Sequence, residues 1–458
     1  MRSGRNWLLL LSHCVLVALC AAFAPDCRAA DKERSQYVVS AISKWNAPLT
    51  AVNRRAKYGK MQVSSLAFYR GTNHLFWADM THSKVVQKFG TATTKTWLHG
   101  DLHVENFGAL HDNRHQIIYD FDDFDDALIA DFQFDLMRLA TSIVLVSKIQ
   151  MFSDLEKAHL IDVLTVSYLQ TLRACRNSDV ELTSVLTLDQ AYGRLDEFLK
   201  KVVNDRSRSQ MLEKYVVDIG GRRSLLISPG HFQAVDSTTR LKVEKAADRY
   251  GATLAEEHLP AFWKIKDVVR RVFMGTGSLG VDRYFVLIDG ATTANEDDRI
   301  LDVKAQRTPT GFRYTRQSAE DKKLHQQAGR RHQVAYQSLM PRADALLGWT
   351  EIDNQQFSVR ERSPFKQTFP IKELDSVVRF EKMAEQWGRI TALRHARADK
   401  DAKSQTIPYQ FEDEVLKALV GKQREFVDFV HRVATSYARR VELDFATFQT
   451  AIDDGRLK

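Results

Sequence analysis

Read for hydrophobic spacing, the chain is helical towards both ends and alternates with a period of two in between. Over residues 31–60, Tyr37, Val38, Ile42 and Trp45 share one face, which predicts a helix stopping near Asn46-Ala47-Pro48. Ser64 to Gly71 reads as an apolar helix or strand, and Ile117 to Tyr119 as a strand. From Asp131 a helical pattern opens with Phe134, Leu136, Leu139 and Ile143, and helical spacing continues to Lys201. Residues 204–239 shift to Arg, Ser, Gly and Asp with Gly220-Gly221 and Pro229-Gly230, the signature of a domain boundary or a mobile lid.

At Arg270 the character changes. Arg270 to Met274, Arg283 to Ile288 and Ile300 to Ala305 read as three antiparallel strands. Alternation sets Ile300, Asp302 and Lys304 on one face of the third. Residues 317–340 look helical, Phe357 to Arg360 is a short strand, and helices are expected over Leu374 to Ala398 and Phe411 to Arg440. Neither closing helix carries a sustained heptad. The expected class is therefore α+β: a small antiparallel sheet lobe and a large helical lobe, divided as 30–240, 241–370 and 371–458.

Composition changes this picture little, since 458 residues with 44% hydrophobic and 27% charged side chains suit a globular protein with a sizeable core. The formal charge of +8 is spread over isolated pairs such as Arg222-Arg223 and Arg330-Arg331, so no nucleic-acid motif emerges. The N-terminus says more. Arg2 and Arg5 precede an apolar stretch from Trp7 to Phe23, and Cys27-Arg28-Ala29 offers a cleavage site, so residues 1–29 read as a signal peptide. Export, to the periplasm, follows, with no membrane span after cleavage; an uncleaved anchor is the alternative. Cleavage would leave Cys175 alone in a helical pattern, as a small core residue.

The chemistry concentrates between His99 and Arg138. Asp120, Asp122, Asp123, Asp125 and Asp126 fall within seven residues, just after the loop H-G-D-L-H-V-E-N at 99–106. Buried carboxylates need a counter-charge, and a hard divalent cation supplies one; a solvated acidic turn is the bland alternative. Gly275, Gly277, Ser278 and Gly280 lie in the first turn of the sheet and Lys304 on its third strand, together a cradle for polyphosphate. The same glycines would also serve a plain hairpin. Arg70, before Gly71, is a candidate partner for the acids or for phosphate. His99, Asp101, His103 and Asn106, with His111 and His115 nearby, offer a rival transition-metal set suited to a phosphoesterase.

These pieces resemble domain-of-unknown-function family 2252 (DUF2252) over most of the mature chain. The resemblance rests on Ala67 to Gly71, Gly100 to His103, Asn106 to Gly108, Asp123 to Asp126, Asp135, Arg138, the Gly275 to Gly280 turn, Lys304, Leu347 to Trp349, His395 to Arg397, Tyr437-Ala438 and Asp444. Its motifs are in turn similar to those of aminoglycoside phosphotransferases and protein kinases. That similarity implies a two-lobed kinase-like fold in circularly permuted order, because the catalytic loop precedes the glycine-rich hairpin. It implies Asp101 as general base, Asn106 and Asp123 as magnesium ligands with Asp125 or Asp120 added, and Asp135 as support for the loop. Lys304 would hold the phosphates of ATP or another donor, and a small-molecule or envelope hydroxyl would accept the phosphoryl group. The usual acid for such a lysine is missing from the following helix, where only Glu320 and Asp321 lie near. A catalytically silent nucleotide or polyphosphate binder is the other class of reading, and the sequence leaves the oligomeric state open.

Overall fold

The computed structural model of the chain describes residues 24–458 apart from 177, 255–263, 273, 274, 276, 278, 293 and 401–405. The predicted leader lies outside the described residues as far as residue 23, and the backbone helix Ala24–Asn46 runs through the predicted cleavage junction. Among the described residues no helix is long and apolar enough to cross a membrane.

The fold is α+β, and the helical body is assembled from both ends of the chain. Gln133–Ile149 and Asp154–Arg176 form its centre; Val377–Arg397 packs along the second, and Gln423–Asp453 lies on both. The approach is close enough that a Cβ on Gly388 would meet the Leu164 carbonyl at 2.4 Å, which explains a glycine inside an otherwise helix-favouring stretch. The two ends meet through Arg34, whose guanidinium bridges Asp79 at 2.7 Å and Asp444 at 2.6 Å.

The second part is a six-stranded antiparallel sheet in the order β12-β13-β11-β10-β9-β8. Its strands are β8 (Phe232–Ala234), β9 (Ile265–Arg271), β10 (Arg283–Ile288), β11 (Arg299–Ala305), β12 (Gly348–Ile352) and β13 (Gln355–Glu361). Both faces are apolar, as the period-two pattern requires. Tyr284, Val286, Ile288, Leu301 and Val303 bury against Val243, Ala246 and Tyr250 of the helix Ser237–Gly251. Phe285, Leu287 and Ile300 bury against Met211 and Leu212 on the other side. Asp302 and Lys304 continue the row begun by Ile300, as expected. The helix Ala328–Leu339 packs on β12 and β13 and also touches the helical body, so it ties the two parts together.

Several boundaries differ from the sequence reading. Residues 204–239, read as a domain boundary or a mobile lid, hold regular structure: the helix Arg208–Tyr215, the hairpin β6 (Val216–Ile219) and β7 (Arg222–Leu225), and β8, which pairs with β9 in the large sheet. The expected 317–340 helix is two, Ala319–Gln326 and Ala328–Leu339. The last expected helix is also two, Phe411–Ala418 and Gln423–Asp453, separated at Gly421 with φ +70°. Cys175 is buried in the core, as expected.

Candidate functional site

The site begins where β1 (Lys95–Leu98) runs into His99-Gly100-Asp101. Gly100 has φ +79°, and a Cβ there would lie 2.0 Å from the Asp126 carbonyl, so this turn admits only glycine. Side chains from neighbouring helices then take up the loop's backbone groups. Asp135, in the first turn of Gln133–Ile149, accepts the His99 N–H at 2.7 Å and the Gly100 N–H at 3.0 Å. The Gly100 carbonyl accepts from Asn73 Nδ2 and Trp77 Nε1, each at 3.0 Å. Ser142 Oγ accepts the Val104 N–H at 3.1 Å. His395 stands 3.3 Å from Asp135 and 2.9 Å from the Tyr168 hydroxyl, completing a buried support behind the loop.

Asp101 is held by Arg138, whose Nε donates to Oδ1 at 2.6 Å. The fully buried guanidinium of Arg138 stacks over Tyr69 at 4.3 Å. Burial pushes the Asp101 carboxyl up, to about 7, against the opposing pull of Arg138. Asn106 donates its Nδ2 to the Asp101 carbonyl at 2.9 Å, which leaves its Oδ1 as the group free to meet a cation.

The antiparallel pair β2 (Phe107–His111) and β3 (Ile117–Phe121) delivers the acids. Asp123, at φ +74°, and Asp125 both reach Lys304 of β11: Lys304 Nζ lies 3.3 Å from Asp123 Oδ1 and also bonds Asp125. Asp125 accepts in addition from Gln306 Nε2 at 2.9 Å. Burial alone would raise the Asp125 carboxyl and lower the Lys304 ammonium; the pair reverses both directions, so both stay charged. Asp123 retains 44% exposure and Asp125 29%, so the two carboxylates open onto the cleft.

Not every expected residue joins them. Asp120, expected as a further metal ligand, is fully buried and accepts from Arg394 Nε at 2.9 Å and from the Phe121 N–H at 2.9 Å. It is a structural partner of Arg394. His99 and His103 are buried inside the loop: His99 Nε2 meets the Asp122 carbonyl at 2.9 Å, and His103 Nδ1 accepts the Glu105 N–H at 3.2 Å. Burial holds the His103 imidazole well below its usual range. Arg70 pairs with Glu105 of the same loop, not with the acid cluster. Glu320 and Asp321 do not meet Lys304; Asp321 caps its own helix at Ser318, and both line an open groove with Lys95 and Tyr409. The acid for Lys304 comes from the opposite part of the chain.

In the glycine-rich turn, Gly275 and Gly277 are exposed, the Gly275 carbonyl accepts from Lys60 Nζ at 2.9 Å, and the Gly280 carbonyl accepts from Arg307 Nη2 at 3.1 Å. Ser278 lies outside the described residues. Among the described residues, the one set of His and carboxylate atoms that converges tightly enough for a transition metal is His111, Asp344 and Glu361, within 4.8 Å of one another. It excludes His99, Asp101 and His103, and Arg208 and Arg299 already compensate Glu361 at 2.5 and 2.9 Å.

Several site residues escaped the sequence reading. Arg331, fully buried, donates to the Ala127 and Asp125 carbonyls at 2.8 Å each and so clamps the acid loop onto the sheet. Its only signal was the doublet Arg330-Arg331, in which Arg330 stays exposed. Arg360 and Lys366 hold Asp122 at 3.2 and 2.6 Å. Asp126, already read as one of the five clustered acids, accepts the Thr310 N–H at 2.6 Å.

A family model described as "Uncharacterized protein conserved in bacteria (DUF2252)" matches residues 51–451. Compared with curated proteins and with solved structures, the chain finds no match.

Proposed function

The chain belongs to that bacterial family, DUF2252, and from this premise we propose a magnesium-dependent phosphotransferase, kinase-like and circularly permuted, that moves a phosphoryl group from a nucleotide to a hydroxyl acceptor. One observation carries the reading: Lys304 on the sheet meets Asp123 at 3.3 Å and bonds Asp125, although 181 residues separate it from the first. A lysine able to neutralise phosphates and carboxylates able to hold a divalent cation thus share one cleft. The ammonium of Lys304 stands where two carboxylates converge, which is itself a test of fit: this donor set accepts a cation of hard character.

Bound there, magnesium and a nucleotide would supply the transferable phosphoryl group and neutralise its developing charge. Asp123, Asp125 and the Asn106 amide oxygen are the groups to hold the metal. Asp101 takes the proton from the acceptor hydroxyl, a task suited by a carboxyl lifted to about 7. Arg138 fixes that carboxyl's orientation, and Asp135 fixes the loop that carries it. Lys304 moves from the acids to the donor phosphates.

Permutation is supported by the Arg34–Asp444 ion pair, which joins segments from the two ends of the chain in one helical body. The rival phosphoesterase reading loses ground because His99 and His103 accept N–H groups of their own loop on Nδ1, and His99 Nε2 is spent on the Asp122 carbonyl. Export by the expected leader would set the reaction in the periplasm, so the donor test includes polyphosphate beside ATP.

The decisive experiment titrates magnesium alone, magnesium-ATP and, as the second donor, magnesium-polyphosphate into the wild type and Lys304→Met. Removing the internal cation should strengthen the binding of magnesium alone and weaken magnesium-ATP or magnesium-polyphosphate by about ten- to a hundredfold. Unchanged affinity for all three would overturn the assignment.

A further inference from the structure

On the helical side of Asp101 lies a second group of polar side chains that the reaction, as drawn so far, does not use. Lys57, on the helix Ala51–Met61, is only 4% exposed and makes no hydrogen bond or ion pair among the described residues. Lys304, the other buried lysine among them, is held by two acids. Lys57 feels the charges of Asp126 and Asp101, yet burial and Arg307 depress its ammonium to about 8, so it is still mainly protonated at neutral pH. Beside it, His74 is 3% exposed, stacks on Trp45 at 4.7 Å, and has no partner for either ring nitrogen. Burial and the nearby Lys57 push its imidazole down to about 3, so the ring is neutral and carries one N–H without an acceptor.

Among the described residues Lys57 therefore has no hydrogen-bond acceptor, both His74 ring nitrogens are buried without a partner, and the neighbouring Asn73 bonds the Gly100 carbonyl and Asp126, which ties this group to the loop that carries the proposed base. A charge buried without a partner costs several kcal/mol, and a lysine retained only for stability is ordinarily paired. What the pair lacks is an oxyanion. The donor phosphates are not the natural candidate, because Lys304 already serves them and because the acids near Lys57 are Asp101 and Asp126, not Asp123 and Asp125.

Building on the phosphotransfer reading, we infer that Lys57 and His74 form an anion subsite, and that the hydroxyl acceptor carries a phosphate group which occupies it. Lys57 binds that group through charge and His74 through its N–H. The acceptor hydroxyl is thereby set against Asp101, and neutral polyols lacking the anion bind poorly.

The test uses the full chain, with inorganic phosphate, glycerol 3-phosphate and glycerol as probes in calorimetric titrations and magnesium-ATP as a separate arm. The wild type should bind both phosphates saturably and glycerol weakly. Lys57→Met should lose about ten- to a hundredfold in affinity for the phosphates while keeping magnesium-ATP affinity, and Lys57→Arg should restore much of the loss. Because it removes an unpaired buried charge, Lys57→Met should melt at or above the wild-type temperature, which a structural lysine would not allow. If Lys57→Met proves unfolded, the structural role stands and the subsite is overturned, unless His74→Phe, folded, shows the same phosphate loss. No phosphate binding by the wild type, unchanged binding in Lys57→Met, or a loss confined to magnesium-ATP would each overturn the proposal. Failure of magnesium-ATP to bind the wild type, with the phosphate arm intact, would instead remove the phosphotransfer reading and leave the anion subsite.

Discussion

At the scale of single residues, the arrangement turns on one carboxyl with an unusual environment. Burial raises Asp101 and Arg138 restrains that rise, leaving it near 7, where a general base is half-available at neutral pH. Turnover should therefore climb as pH rises through about 7 and fall away below it, as the base becomes protonated. Asp101→Asn should lower kcat by about 10²–10⁴-fold and abolish that pH limb, with magnesium-ATP affinity retained. Steady-state rates across pH, paired with nucleotide titration, check both halves. The residues of this motif were legible because their spacing is local: the loop 99–106 and the acids beyond β3 sit within one short stretch. Asp120 was misread for an equally physical reason. Its partner Arg394 lies 274 positions away, and only the packed fold shows that this acid is spent on a buried ion pair.

At the scale of elements, the catalytic loop has little regular structure of its own and takes its shape from the helix behind it. Both oxygens of Asp135 are engaged, one by the His99 N–H and one by the Gly100 N–H. Asparagine offers only one acceptor there and turns an N–H₂ towards a backbone donor. Asp135→Asn should cost about 2 kcal/mol of stability and, by displacing the loop, reduce kcat by as much as ~10²-fold. Thermal melts and turnover should fall together while magnesium-ATP affinity holds. Long helices and the β10–β11 pair were readable from periodicity, since each has a buried face of regular spacing. The β6–β7 hairpin was not, because its strands are only four residues long and mix Val and Ile with Asp, Arg and Ser without a regular alternation, and the pairing of β8 with β9 gives the region its place in the sheet. The break between Ala418 and Gln423 was missed by the sequence reading, although Gly421, with a left-handed backbone, stands within it.

At the scale of the whole molecule, the two parts are joined across the cleft by charge. Lys304 reaches Asp123 and Asp125 from the sheet, while Arg360 of β13 and Lys366 close on Asp122 beside them. Burial would raise the Asp122 carboxyl, but Lys366 and Arg360 outweigh it and hold it far below the usual carboxylate range. Because the folded-state pKa is depressed, the stability this acid contributes is fully present above its unfolded value of about 3.9 and is lost as pH falls below that towards the folded one. Burial also presses Lys366 down to about 8, so the group is half-charged at that pH and mainly charged by pH 7, and the comparison belongs between pH 7 and acid. Asp122→Asn removes the anion and leaves two partly buried cations unmatched, at a cost of about 2 kcal/mol at pH 7. The same substitution should cost progressively less below pH 4, as the wild-type carboxyl itself takes up a proton. Denaturant unfolding of both proteins across this range measures the gap directly: a difference that closes on acidification identifies Asp122 as the charge that holds the sheet to the helical body, and a constant difference assigns its effect to shape alone.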